Sequence, residues 1–211
     1  TLIRLEGRLF QGLAMFNEAE KFYTEQLERH PENPLLFLDR AQMNWRIKKN
    51  ELAIEDARKA QSLNQNLFEA HYLIGVILGQ KTYSADPEKI DRALEALIYA
   101  SQINSTNPDV WFRISELWLR KGESKKARLA MYRAVKLSPE SKLYLRSYSV
   151  LLEKELDENE QLFSTDISKS LGKALKHMLK LFPDDSWVQA HYGNWAWTQE
   201  KYTLAEKHLK R

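Results

Sequence analysis

Residues 108–140 read PDVWFRISELWLRKGESKKARLAMYRAVKLSPE and divide into two amphipathic helices around one turn. In the first helix, Trp111, Ile114 and Trp118 recur at spacings of three and four, which places them on one helical face. The second helix carries its own stripe, which consists of Ala127, Ala130, Met131 and Ala134. Gly122 lies in the turn, where a positive φ costs glycine little. A helical hairpin of this kind buries only one side and needs similar hairpins beside it.

Copies of this hairpin recur along the chain. A step of 34 residues carries Ala19 and Tyr23 onto Ala53 and Ala57. After insertions of six and then ten residues, the later copies of the stripe are Ala93, Leu97 and Ala100, then Ala127, Met131 and Ala134, then Leu171, Leu175 and Met178, and finally Ala205 and Leu209. The first helices share a small residue at one position, occupied by Gly7, Ala41, Gly75, Ser115, Ser149 and Gly193. A period of about 34 residues is typical of a helical repeat protein.

On these residues the chain resembles the tetratricopeptide repeat (TPR) family over essentially all of its 211 residues. The resemblance implies an all-α fold, a right-handed α-solenoid of stacked antiparallel helix pairs with about 5.5 repeats. The expected repeats cover 1–33, 34–67, 68–107, 108–141, 142–185 and part of a repeat in 186–211, in a single array. Inserts near 81–88 and 155–166 fall between the two helices of their repeats. Glu6, Arg40 and Asn44 depart from the apolar residues usual in the family.

Composition narrows the class further. The chain is 43% hydrophobic and 29% charged, which suits a helical array and argues against disorder. It has no cysteine, so disulfides and cysteine metal sites are excluded. The longest apolar run, near Leu73 to Leu78, is far shorter than the ~20 residues that a membrane span requires. The chain does not begin with Met, and we expect a piece of a longer protein with a cytoplasmic location.

The family resemblance implies that the first helices line a concave surface where peptide ligands lie. The expected partner-binding groove comprises Leu38, Gln42, Trp45, Tyr72, Leu73, Val76, Phe112, Arg113, Glu116 and Leu119. Trp45, Tyr72 and Phe112 are the expected anchors, since interface centres favour aromatic residues. The alternative interpretation is that some of these side chains pack between neighbouring first helices.

One TPR subclass holds the carboxylate of a chaperone tail with Lys and Asn on successive first helices. The matching positions here are Arg4, Arg8, Asp39, Glu69 and Leu73 in repeats 1 to 3, and Leu38, Gln42, Leu73, Asp109 and Arg113 in repeats 2 to 4. Neither set offers convergent cations. The sequence therefore argues against a chaperone tail and favours an apolar or amphipathic segment.

Charge is unevenly distributed, although the net charge is only +3. From Arg113 to Arg146 there are ten Lys or Arg and three acids, a net +7, whereas Glu153 to Asp166 holds six acids and one Lys, a net −5. A further basic stripe consists of Lys169, Lys173, Lys176 and Lys180. The basic residues either meet an acidic partner or face the chain's own acidic insert and solvent.

Nucleic-acid binding is not expected, because the cations cluster on second helices and the expected groove is apolar. Catalytic residues, metal sites and cofactors are not expected either, since the histidines fall singly and no phosphate-binding loop occurs. These histidines are His30, His71, His177, His191 and His208. We interpret His71 as a core residue. We interpret Trp187, Trp195 and Trp197 as helix packing rather than an aromatic ligand site.

The sequence thus predicts a non-catalytic scaffold that binds a partner segment in its groove. Two alternatives stay open at this point. In the first, the array is the regulatory or substrate-recruiting part of a larger enzyme or complex. In the second, two copies of the array associate with each other. Asn17 and Asp86 are expected N-caps of second helices, the latter because Pro87 follows it.

Overall fold

The computed structural model describes residues 2–80, 86–158 and 165–210. These residues form twelve α-helices and no strand, which confirms the all-α class. The helices are α1 (Leu2–Gly12), α2 (Phe16–Arg29), α3 (Pro34–Arg46), α4 (Asn50–Leu63), α5 (Phe68–Leu78), α6 (Pro87–Ile103), α7 (Pro108–Arg120), α8 (Ser124–Leu137), α9 (Lys142–Glu158), α10 (Thr165–Leu181), α11 (Ser186–Thr198) and α12 (Tyr202–Leu209). Much of each expected insert, at 81–88 and 155–166, lies outside the described residues.

Backbone contacts divide the chain into two compact units, Thr1–Leu117 and Trp118–Arg211. In the first unit, consecutive helices from α1 to α6 pack on each other, and α1 also contacts α3, which in turn contacts α5. In the second unit, consecutive helices from α8 to α12 pack in the same way. Each of the six expected repeat ranges contains two helices, and the odd-numbered helix of each pair is called its first helix below. The single continuous array stays a prediction.

The shared small-residue position holds the two helices of a repeat together. A Cβ added to Gly7 would lie 2.5 Å from the Tyr23 ring, and one added to Gly75 would lie 2.5 Å from Leu97 Cγ. Tyr23 is fully buried and Leu97 is nearly so. The second-helix stripe therefore rests directly on the backbone of the first helix, because no side chain intervenes.

Two helix ends follow the local chemistry that the sequence predicted, and one does not. Gly122 has φ +76°, as the turn requires. Asp86 caps α6 by accepting a hydrogen bond from the Glu88 amide, and Pro87 occupies the first turn, which confirms that cap. The expected cap at Asn17 is wrong. The second helix starts one residue earlier, at Phe16, and Met15 precedes it without a side-chain cap.

The two family departures in α3 form a polar contact with α4. Arg40 donates to both carboxylate oxygens of Asp56, at 2.8 and 2.7 Å, and the Asn44 amide donates to Asp56 at 3.3 Å. Asp56 and Asn44 are both buried. A charge-assisted contact therefore takes the place of the apolar pair that the family resemblance implies here.

Candidate partner-binding surfaces

The expected groove residues are more deeply packed than the sequence indicated. Leu38, Leu73 and Phe112 are only 2%, 4% and 8% exposed, so the packing interpretation applies to them. The other seven are half-buried, namely Gln42, Trp45, Tyr72, Val76, Arg113, Glu116 and Leu119. No large hydrophobic side chain of α3, α5 or α7 is exposed, and all three helices lie within the described residues. The partner-binding role of the ten residues stays a prediction.

A buried carboxylate joins the first two first helices of the first unit. Asp39 is fully buried on α3 and accepts hydrogen bonds from Arg4 at 2.6 and 2.9 Å. Arg8 donates to the same carboxylate at 2.9 Å. The hydrogen bond to Asp39 raises the pKa of Arg4. Both arginines at the positions that would bind a chaperone tail are thus engaged by the chain itself.

A second polar cluster lies around Tyr72, which was the central expected anchor. Its hydroxyl donates to the Asp109 carboxylate. Arg113 then lies 3.5 Å from Asp109 and 3.2 Å from Glu116. Burial, together with the hydrogen bond to Asp109, raises the pKa of Tyr72 to about 12. The hydroxyl therefore stays protonated to a higher pH than that of a free tyrosine, and its hydrogen bond to Asp109 already satisfies the polar end of the side chain.

In the second unit a ladder of side chains connects the first helices α9 and α11. Arg146 lies over the Trp187 ring at 4.7 Å, and Trp187 stacks on His191 at 3.8 Å. His191 Nδ1 in turn lies 2.7 Å from a carboxylate oxygen of Glu153. Sequence reasoning missed this ladder because its two helices are separated by a whole second helix. The sequence did contain one indication of it, since Arg146 and Glu153 lie on the first helix of one repeat and Trp187 and His191 on the first helix of the next.

Exposed apolar side chains on first helices occur elsewhere than expected. On α9, Leu143 and Val150 are 55% and 46% exposed, and their spacing of seven places them on one face. On α11, Trp197 is 59% exposed. The remaining ones lie on α1, where Leu2, Leu5 and Leu9 are exposed. Within the described ranges 2–80, 86–158 and 165–210, these are the large hydrophobic residues that first helices expose.

No protein-family sequence profile matches the chain, and no curated protein sequence does so either. Solved structures do match it. A TPR protein named YrrB, described as having an unusual peptide-binding site, is 16% identical, with 89% of each chain covered and a TM-score of 0.70. A MamA structure is 22% identical, covers 88% of this chain and 94% of its own, and has a TM-score of 0.70. PilF of Pseudomonas aeruginosa is 15% identical, with coverages of 98% and 87% and a TM-score of 0.70.

This chain has the tetratricopeptide repeat fold. The resemblance drawn from the sequence is confirmed at the level of fold, and the identities of 15–22% carry it no further.

The tryptophans of the last TPR hairpins have different roles. The Trp195 indole donates to the Ser168 carbonyl at 3.0 Å, and its ring lies against Gly172, as expected for helix packing. Trp197 instead contacts Tyr202 edge-on, with 5.0 Å between ring centroids, and both residues are exposed. Trp195 is therefore structural, whereas Trp197 offers an open aromatic surface.

His71 contributes to the wall of a cavity of about 520 Å³ between α4, α5 and α6. It is 3% exposed, donates from Nε2 to the Gln65 carbonyl at 2.8 Å and accepts at Nδ1 from Gln61 at 3.2 Å. Both ring nitrogens are satisfied in this tautomer, which accords with a core histidine. No group of three or more potential metal ligands occurs in the described part of the TPR chain. Among the same residues, no helix has the length and apolar content that a bilayer crossing demands.

Proposed function

We propose that this TPR chain is a non-catalytic scaffold that binds an apolar or amphipathic segment of a partner protein on its first helices. The observation that carries the proposal is the exposure of Leu143, Val150 and Trp197 on α9 and α11. Leu143 and Val150 share one face of α9, and exposed apolar side chains grouped on one face are typical of partner sites. YrrB, a TPR protein with an unusual peptide-binding site, has a similar fold and supports a peptide ligand for this chain.

Affinity in this proposal comes from preorganisation. The ladder from Arg146 through Trp187 and His191 to Glu153 holds α9 against α11 before any ligand arrives. The ligand alone then bears the ordering cost of binding.

The groove residues that the sequence predicted in repeats 2 to 4 are part of the same proposal, but we expect them to contribute less contact area to the partner. Trp45 and Tyr72 are half-buried and keep some contact area, whereas Phe112 is 8% exposed and offers little. Engagement of Arg4 and Arg8 by Asp39 supports the exclusion of a chaperone tail. The cytoplasmic location and self-association stay predictions from the sequence.

Selection from a library of short random peptides, followed by titration of the selected peptides, tests the proposal. The first variant is Leu143→Ser with Val150→Ser, and the second is Tyr72→Ala with Phe112→Ala. The matched control is Leu52→Ser with Leu129→Ser, because these leucines are 45% and 58% exposed on the second helices α4 and α8. We expect a first-helix variant to weaken binding by more than about 1 kcal/mol, the scale of an interface hot spot.

Equal weakening by the control, or unchanged affinity in both first-helix variants, would contradict the proposal. Circular dichroism has to show unchanged helicity in each variant. Because Phe112 is buried, Tyr72→Ala alone serves wherever the double variant loses helix content.

A further inference from the structure

The basic residues of the second unit separate into paired and unpaired groups. Arg128 donates to Glu155 at 2.6 Å, Lys126 lies 3.4 Å from Glu123, and Lys142 forms an ion pair with Asp185. Arg128 thus meets the acidic insert, as one of the two interpretations expected, whereas Glu123 and Asp185 lie outside that insert. Other lysines of this unit have no ion-pair partner among the described residues.

Four of them lie on α10, and together we call them the lysine stripe. The stripe consists of Lys169, Lys173, Lys176 and Lys180, and all four are exposed. Their spacings of four, three and four residues place them on one helical face. At 1.5 Å per residue the stripe runs for about 16 Å along the helix.

The acids on the helices packed against α10 are largely engaged elsewhere. On α9, Glu155 accepts from Arg128 and Glu153 contacts His191. Ahead of α11, Asp185 pairs with Lys142 and accepts from the Val188 amide. None of the four stripe ammonium groups has an ion-pair partner in the described ranges 2–80, 86–158 and 165–210.

The other charged groups that the structure describes near the stripe form no ion pair with it. Asp166 lies one turn before Lys169 and is exposed, and no ion pair joins the two. His177 faces the α8–α9 turn, with Nε2 3.0 Å from the Pro139 carbonyl. Asp157 and Asp184 are exposed acids near the two ends of α10, again without an ion pair to the stripe.

From this arrangement we propose that the lysine stripe of α10 is a docking surface for an acidic polypeptide segment. It is a second-helix surface, so it is independent of the first-helix site proposed above. Successive lysines of the stripe are spaced about 4.5 to 6 Å apart along the helix axis. Carboxylates on one side of an extended chain repeat about every 6.8 Å, and those on one face of a helix repeat about every 5.4 Å, so either form can follow the row.

Two other polyanions fit the stripe less well. Surfaces that insert into membranes combine cations with exposed apolar side chains, and α10 exposes no large hydrophobic residue among those described. Single-stranded nucleic acid is bound through aromatic side chains that stack on bases, and α10 carries no Phe, Tyr or Trp, while its His177 lies against the Pro139 carbonyl. An acidic polypeptide requires neither feature.

Binding of fluorescent poly-L-glutamate, measured by anisotropy at low and moderate salt, tests the docking surface. The stripe variant replaces all four stripe lysines with Gln. The matched control replaces Lys21, Lys59, Lys125 and Lys207 with Gln. These lysines are exposed, have no described ion-pair partner and change the net charge equally. Lysine and glutamine have similar helix propensities, so both variants should fold.

We expect the stripe variant to bind about tenfold more weakly at low salt, because four screened contacts each add a little. We expect the control to change affinity less than about twofold, and the salt dependence to flatten only in the stripe variant. Equal weakening in both variants would overturn the proposal, since net charge alone would then explain binding. Unchanged affinity in the stripe variant would overturn it as well.

Two parallel arms distinguish the polyanions. In one, a single-stranded DNA oligonucleotide of equal charge replaces poly-L-glutamate, and in the other, vesicles containing phosphatidylserine replace it. Tighter stripe-dependent binding of either than of poly-L-glutamate would overturn the assignment to an acidic polypeptide. The first-helix site is tested by a different measurement, the binding of selected peptides to the variant Leu143→Ser with Val150→Ser. Each proposal can therefore fail without affecting the test of the other.

Discussion

Neighbouring first helices are joined by different side-chain contacts in the two units. In the first unit, α1 and α3 are joined by Arg4 and Arg8 on the buried carboxylate of Asp39. In the second unit, α9 and α11 are joined by a cation over an indole ring and by a histidine beside a carboxylate. The first arrangement uses its cations internally and leaves α3 without an exposed large hydrophobic residue, whereas the second leaves Leu143 and Val150 open on α9. On α1, Leu2, Leu5 and Leu9 are exposed as well.

This difference shows that a repeat position does not determine whether a side chain is available to a ligand. Leu35 and Leu143 both lie six residues before the small-residue position of their repeats, yet Leu35 is half-buried and Leu143 is 55% exposed. What surrounds the position therefore decides how much of the side chain is exposed.

Asp39→Asn should destabilise the first unit most. It removes the carboxylate shared by Arg4 and Arg8 and leaves a buried amide facing two cations. Breaking a buried ion pair in this way costs about 3 kcal/mol. Amide hydrogen exchange should speed up in α1 to α3 while α9 to α11 stay unchanged, which is the expected local response of a repeat protein.

The control for this variant is Asp184→Asn, an exposed acid with no described ion pair. Equal stability of Asp39→Asn and the control would show that the buried carboxylate does not distinguish the first unit. Faster amide hydrogen exchange in both units of Asp39→Asn would show that these ion pairs do not stabilise the first unit alone.

Gly75→Ala should have the next largest effect. The added Cβ would lie 2.5 Å from Leu97 Cγ and 3.1 Å from the Ala93 carbonyl oxygen. Overpacking of this kind costs about 1 to 3 kcal/mol. Gly12→Ala is the control, since nothing lies within 4 Å of its added Cβ. Urea unfolding should show a loss only for Gly75→Ala. Similar midpoints would mean that close contact at the small-residue position does not stabilise the hairpin.

The sequence predicted the fold because the repeat imposes the same packing rule many times. Gly7 and Gly75 stand at the small position, and Tyr23 and Leu97 rest on them in the structure. Each copy is degenerate alone, but a shared period of 34 residues is hard to produce by other means. Helix ends were less predictable, as Asn17 shows, because local turn geometry can replace a side-chain cap.

Which first-helix residues are open could not be predicted from the sequence. The departures at Arg40 and Asn44 were visible, but their partner Asp56 lies on the next helix and has no fixed position in the family pattern. Tyr72 likewise has the sequence pattern of a free anchor, but its hydroxyl donates a hydrogen bond to Asp109 of the following repeat. Contacts between repeats depend on side-chain directions, which the period alone does not specify.

Alkaline pH should weaken the first unit through two tyrosines. Burial comes first in raising the pKa of Tyr23 to about 12, with the nearby Asp39 charge second, and burial with Asp109 does the same for Tyr72. An unfolded tyrosine ionises near 10. Between pH 10 and 12 the unfolded chain therefore binds fewer protons, so this contribution is complete below pH 10 and is lost as pH rises to about 12.

The measurement for this effect is the urea midpoint of wild type and of Tyr23→Phe with Tyr72→Phe at several values of pH. The double variant should show a shallower decline between pH 10 and 12 than the wild type, whatever its stability at neutral pH. Lysine titration affects both proteins equally, so it cancels in the comparison. Parallel declines would assign the alkaline loss to groups other than these tyrosines.

The smallest expected effect concerns the ladder of the second unit. His191 and Glu153 are each about a quarter exposed, at 28% and 27% of their side chains, so solvent screens their interaction. A double-mutant cycle with His191→Gln and Glu153→Gln should give a coupling of about 0.5 kcal/mol. The same cycle on Arg4→Gln and Asp39→Asn should give several times more, because Asp39 is fully buried. Equal couplings would mean that burial of the carboxylate is not what separates the two units.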